Sequence, residues 1–84
     1  MVIAEITALG WTSTGYDCSC GVREWNFTKP TSSLDIYQDI GTEKWCYEYT
    51  DQTRRLHTKG WTGYDELIEA VKGVMVTGAA EDLS

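Results

Sequence analysis

The sequence predicts an α+β domain, a small antiparallel β-meander of four or five strands covered on one face by a C-terminal α-helix. Two patterns carry this prediction. Aromatic and polar side chains alternate over residues 44–50, as in a strand, and apolar side chains recur at helical spacing from Thr62 onward. Because 84 residues suffice for one hydrophobic core, we predict a single compact domain over residues 1–78, followed by a loose tail over residues 79–84.

The N-terminal third of the chain is predicted to be extended. Residues 2–9 alternate between apolar and polar side chains and are predicted as a strand, and the Gly-, Ser- and Thr-rich residues 10–17 are predicted as a turn. Residues 16–27 are predicted as one extended segment with a bulge or kink at Gly21. A loop is predicted around Pro30, since proline cannot donate a backbone hydrogen bond to a sheet.

Residues 34–40 fit two patterns. Leu34 and Ile36 alternate with polar residues as in a strand, whereas Leu34, Tyr37 and Ile40 would share one face of a short helix. We favour the strand.

Residues 44–50 are the clearest predicted strand. Trp45, Tyr47 and Tyr49 fall on one face, and Trp45 and Tyr47 are natural packing partners for a covering helix. Residues 54–59 are predicted to return beside this strand as a β-hairpin.

The C-terminal part of the chain has the pattern of an amphipathic helix. Thr62 is predicted to cap its N-terminus by accepting a hydrogen bond from the backbone amide of Asp65. Gly73 weakens the last turn, and Gly78 is predicted to stop the helix. The apolar positions that define the packed face are Tyr64, Leu67, Ile68, Val71, Val74 and Met75.

The charge balance limits the partners that the protein can have. Seven Lys and Arg against 13 Asp and Glu give a net charge of −6, which disfavours direct binding to nucleic acid or to an anionic membrane. No apolar run approaches the roughly 20 residues of a membrane helix, and the first ten residues lack the features of a signal peptide. Three cysteines do not make a secreted disulfide framework, so we expect a cytoplasmic protein with reduced thiols.

The cysteines and the single histidine allow a zinc-stabilised domain as an alternative reading. Cys18, Cys20, Cys46 and His57 are four soft ligands, the number that zinc takes. A hairpin loop at residues 50–53 would place Cys46 directly opposite His57. The spacing is C-x-C, however, and no second paired motif follows. We therefore favour cysteines that pack as small apolar residues, and no cofactor.

The sequence contains no recognisable catalytic motif. It has no nucleophile elbow, no Gly-rich phosphate loop and no paired-histidine metal motif. A thiol-dependent enzyme that uses Cys18 or Cys20 with His57 is a further alternative, although no third orienting group is evident. We expect a protein that is not an enzyme.

The leading hypothesis is a module that binds a larger protein through an acidic and aromatic surface. Carboxylates would steer the encounter with a basic surface, which could itself bind nucleic acid, and tyrosines would anchor it. The predicted contact residues are Asp35, Tyr37, Asp39, Glu43, Glu48, Tyr49 and Asp51. In size and acidity the chain is similar to small inhibitors encoded by bacteriophages, such as anti-CRISPR proteins, but no motif ties it to one family. This similarity implies inhibition by occlusion. The oligomeric state is left open.

Overall fold

The computed structural model describes residues 3–57, 60–76 and 81–82. Short connections join the helices and strands in this part of the chain. In chain order the elements are α1 (Ala4–Thr7), β1 (Thr12–Ser19), β2 (Val22–Lys29), β3 (Ser32–Asp39), β4 (Trp45–Asp51), β5 (Arg55–His57), α2 (Tyr64–Val76) and β6 (Glu81–Asp82).

The strands form an antiparallel meander in which each strand pairs with its neighbours in sequence. Within the described residues, β1 to β5 make up the meander, and the two-residue β6 pairs with the outer edge of β5. The predicted α+β class, the antiparallel sheet and the small single domain are confirmed. The division between residues 78 and 79 stays a prediction, because residues 77–80 and 83–84 lie outside the described part of the chain.

The buried side chains of the described strands all lie on one face of the sheet. Trp25 pairs with Ile36, and Ile36 pairs with Tyr47, so three buried residues stand side by side across β2, β3 and β4. A second buried row crosses β2 to β5 and consists of Phe27, Leu34, Tyr49 and Leu56. This period-2 pattern leaves the opposite face to polar side chains.

Both helices contribute to the same hydrophobic core. Among the residues outside the sheet whose burial the structure describes, the buried ones are Ile3, Ile6, Trp11, Leu67, Ile68 and Val71. The indole of Trp45 stacks on that of Trp25 at 5.3 Å and meets the ring of Tyr64 at 5.2 Å, which joins the sheet to the start of α2. Since α1 shares the core, the extent to which α2 alone covers this face stays a prediction.

The predicted strand over residues 2–9 is wrong, because this segment contains the single-turn helix α1. The amide of Ala8 donates to the carbonyl of Ala4 at 2.9 Å. Ile3 and Ile6 are both buried, at the i, i+3 spacing of one helical face. The alternating apolar pattern therefore also contained a helical spacing, and packing against the sheet selected it.

The predicted turn over residues 10–17 is also wrong, since most of it belongs to β1. This edge strand is largely exposed, so it lacks the apolar alternation that reveals strands in sequence. Pairing with β2 holds it extended, with an irregularity between Ser13 and Gly15. The predicted bulge at Gly21 is instead a hairpin turn: Cys20 has φ 53° and Gly21 φ 78°, as a type I′ turn requires. Residues 16–27 thus form parts of two strands.

The central and C-terminal elements agree better with the predictions. The strands predicted over residues 34–40 and 44–50 are β3 and β4, and the amphipathic helix is α2. The predicted Thr62 cap is wrong. The carbonyl of Gly63 accepts the first helical hydrogen bond from Leu67, at 3.0 Å. The backbone of Thr62 instead exchanges hydrogen bonds of 2.6 and 2.7 Å with Trp45.

The predicted register of the β4–β5 hairpin is shifted by two residues, because His57 pairs with Glu48 and not with Cys46. The reason is the carboxylate of Asp51. Its Oδ1 accepts hydrogen bonds from the amides of Thr53 at 2.8 Å and Arg54 at 2.9 Å, which places the turn at residues 52–53. Cys46 and His57 still share a sheet face.

Candidate protein-binding face

We call the sheet face opposite the core the outer face. Strands β2 to β5 present polar side chains there in two adjoining rows. In one row, Asn26 pairs with Asp35, Asp35 with Glu48, and Glu48 with His57. The other row is Glu24, Tyr37 and Cys46. All of these residues are partly exposed.

The three carboxylates of the outer face each accept a hydrogen bond from a neighbouring side chain. The side-chain amide of Asn26 donates to Oε2 of Glu24 at 2.9 Å and to Oδ1 of Asp35 at 2.8 Å. One amide group therefore bridges two acidic side chains on adjacent strands. Arg55 donates to Oε2 of Glu48 at 3.1 Å from a largely exposed position, so this ion pair is screened by solvent and contributes little to stability.

Tyr37 lies among these carboxylates. Partial burial, followed by the negative charges of Asp35, Glu24 and Glu48, raises the pKa of its phenol to about 12. The phenol is thus neutral at physiological pH and can donate a hydrogen bond. The same charges that oppose its ionisation would attract a cation.

The other predicted contact residues of the β3–β4 region lie in a turn. Asp39 ends β3, and its Oδ2 accepts hydrogen bonds from the hydroxyl of Thr42 at 2.7 Å and from its amide at 2.8 Å. The Thr42 hydroxyl and then its amide lower the pKa of Asp39. Glu43 is exposed and has φ 60°. Both residues lie where the chain turns after β3, whereas Asp35, Tyr37 and Glu48 are brought together on the outer face.

Tyr49 and Asp51 lie on the core side of the sheet. Tyr49 is only 8% exposed, and its hydroxyl donates to Oδ2 of Asp51 at 2.7 Å. Its ring meets that of Trp11 edge to face at 6.1 Å. The bond from Tyr49, together with those from Thr53 and Arg54, lowers the pKa of Asp51. These two predicted contact residues therefore pack the core and close a turn.

The structure does not bring the four candidate zinc ligands together. Cys18 lies on β1 and Cys20 in the turn that follows it, whereas Cys46 lies on β4. Three strand spacings separate β1 from β4, about 14 Å, but two sulfur ligands of one zinc ion lie within about 5 Å of each other. The described residues contain no cluster of three His, Cys, Asp or Glu side chains suited to a metal ion.

Three residues of this region, Glu24, Asn26 and Trp61, were not among the predicted contact residues. Glu24 and Asn26 lie on either side of the buried Trp25, and Asn26 precedes the buried Phe27, so the alternation over β2 could have identified them. Trp61 is 45% exposed in the connection between β5 and α2. No local pattern marks it as exposed, because its position depends on the bridge between Thr62 and Trp45.

A groove of about 290 Å³ opens where this connection meets the outer face. It is lined by Tyr37, Cys46, Tyr47, Glu48, His57, Gly60 and Trp61. The partly exposed Tyr37, Trp61, Glu48 and His57 thus line the same opening, beside the carboxylates of the outer face.

Comparison with known proteins adds no assignment: the chain matches no family model, no curated protein and no solved structure. Of the helices in the described ranges, none combines the length and apolar character needed to cross a lipid bilayer.

Proposed function

We propose that this protein is a binding module that docks its outer face onto a basic surface of a larger protein and occludes that surface. The observation that carries the proposal is the cluster of Glu24, Asp35 and Glu48 around Tyr37 on one open face of the sheet. A partly buried tyrosine surrounded by charge is a suitable anchor, since tyrosine is enriched among the residues that dominate binding energy.

The net charge of the whole chain supports the same conclusion. At −6 the protein is attracted to cationic surfaces before contact, and such steering raises association rates by about 10 to 1,000-fold at low salt. A basic protein surface that binds nucleic acid is a natural target, because the carboxylates would occupy the positions of phosphates. The proposed outcome is competitive inhibition, of the kind used by phage-encoded inhibitors in a bacterial cytoplasm.

Charge reversal on the outer face tests the proposal. Asp35→Lys combined with Glu48→Lys should abolish capture of the partner from host lysate. A matched control is Asp65→Lys combined with Glu69→Lys, which changes the net charge equally on the exposed side of α2. Binding of the purified partner should also weaken steeply as salt increases.

If the outer face makes the contact, the outer-face double variant loses partner capture and the α2 double variant keeps it. Equal capture by the outer-face variant and the wild type would overturn the proposal. So would equal loss in the α2 variant, because binding would then depend on total charge and not on this face. Circular dichroism of both variants establishes that they are folded.

A further inference from the structure

We infer that the groove between Tyr37 and Trp61 receives a single arginine side chain of the protein partner. This inference rests on the proposed function and specifies the chemistry of the contact. The volume of the groove, about 290 Å³, lies just below the range of roughly 300–1,000 Å³ found for small-molecule sites. The groove therefore suits one inserted side chain better than a whole ligand.

The lining of the groove matches a guanidinium group. Trp61 supplies a ring that is 45% exposed, Tyr37 supplies a second ring, and Glu48 supplies a carboxylate. Guanidinium stacks on aromatic faces and forms paired hydrogen bonds to carboxylates, and it sheds water more readily than the ammonium group of lysine. A neutral or anionic side chain would gain no comparable attraction.

The surrounding charges favour the same occupant. Asp35 pairs directly with Glu48 on the neighbouring strand, and Asn26 holds Glu24 beside Asp35. The opening thus adjoins three carboxylates. Charge complementarity excludes an acidic segment and selects a cationic one.

Glu48 already accepts a guanidinium group from its own chain. Arg55 approaches Oε2 at 3.1 Å, and its side chain is 61% exposed. An incoming arginine must therefore share this carboxylate with Arg55 or displace it. Removal of Arg55 should strengthen binding of the partner's arginine, whereas a purely structural role of this ion pair predicts no such gain.

Peptide titration followed by NMR tests the inference. The probes are three otherwise identical blocked tripeptides with a central arginine, lysine or citrulline. The arginine peptide should shift the indole N–H of Trp61 and the amide of Glu48. The lysine peptide should bind more weakly, and citrulline, which is neutral, should leave both signals in place.

Two variants and one control assign the contact. Trp61→Leu should weaken the arginine peptide about two- to fivefold, the range expected for an exposed cation–π contact. Arg55→Gln should strengthen it about two- to fivefold, the upper range for a surface ion pair. Tyr16→Leu removes another exposed ring, on edge strand β1, and should change nothing.

Equal shifts with arginine and citrulline would overturn the inference, as would unchanged affinity in both the Trp61→Leu and Arg55→Gln variants. This failure is distinct from that of the proposed function. If charge reversal at Asp35 and Glu48 abolishes partner capture but neither Trp61→Leu nor Arg55→Gln alters peptide binding, the outer face binds the partner and the groove takes no arginine. If the peptide binds as expected but charge reversal leaves capture intact, the groove accepts an arginine side chain, but the proposed function fails and the partner's arginine is not the occupant.

Discussion

Truncation of Ile36 tests the core that supports the outer face. Ile36 is fully buried at the middle of β3, between Trp25 and Tyr47 on the adjacent strands. Ile36→Ala removes three carbon atoms there and leaves a cavity that rigid neighbouring rings cannot fill. Ile40→Ala is the matched control, since Ile40 is 40% exposed just beyond the same strand.

The two changes should differ severalfold in cost. A buried isoleucine truncated to alanine costs about 2–5 kcal/mol, whereas the partly exposed one should cost under about 1.5 kcal/mol. A domain of 84 residues has a total stability of about 4–13 kcal/mol, so Ile36→Ala removes a large share of it. The milder Ile36→Val should cost about 1 kcal/mol and lower Tm by about 4–8 °C.

Urea unfolding followed by tryptophan fluorescence measures these costs, since the chain has four tryptophans as probes. The midpoint should fall much further for Ile36→Ala than for Ile40→Ala or Ile36→Val, with the slope unchanged. Equal midpoints for the two alanine variants would refute the assignment of Ile36 to the core and of the polar face to the outside.

Three further predictions concern a turn, a carboxylate and the outer face. Gly21 has φ 78° with open space where a Cβ would lie, so Gly21→Ala should cost about 1 kcal/mol in urea unfolding, while Gly41→Ala, without a positive φ, should cost little. Hydrogen bonds lower the pKa of Asp51 in the folded protein, so ionised Asp51 stabilises the fold. This stabilisation is complete above the pKa of about 3.9 that Asp51 has in the unfolded chain, and it is lost as the pH falls below that value. Asp51→Asn should therefore lower the urea midpoint at neutral pH, and a difference from the wild type that persisted undiminished at pH 2 would contradict this. Asp35→Asn should lower the pKa of Tyr37 from about 12, although not fully to 10, since burial is the larger cause of the raised value. NMR titration of the Tyr37 ring measures this pKa, and an unchanged value would contradict the placement of Asp35 beside Tyr37.

Elements with strong local periodicity could be predicted from sequence. The alternation of Trp45, Tyr47 and Tyr49 with polar residues identified β4, and the helical spacing of Leu67, Ile68 and Val71 identified α2. In each case the pattern reflects one buried face, which a short window of sequence displays completely.

Other elements depend on partners far away in the chain. Strand β1 is almost entirely exposed and carries no alternation, so only pairing with β2 reveals it. The hairpin register was missed because Asp51 accepts hydrogen bonds from the amides of Thr53 and Arg54, which moves the turn by one position. A one-position change in a turn shifts every pairing across the hairpin by two.

The candidate site likewise contains some residues that local sequence identifies and others that only contacts between distant segments place. Composition and the position of each acidic residue along the chain were sufficient to nominate Asp35, Tyr37 and Glu48 as surface residues of one charged region. The pairing of Glu24 with Tyr37, the placement of Tyr49 in the core and the separation of Cys18 from Cys46 required the sheet itself. Local periodicity records which side of an element is buried, whereas strand order and register determine which outward-facing side chains become neighbours, and those depend on contacts between distant segments.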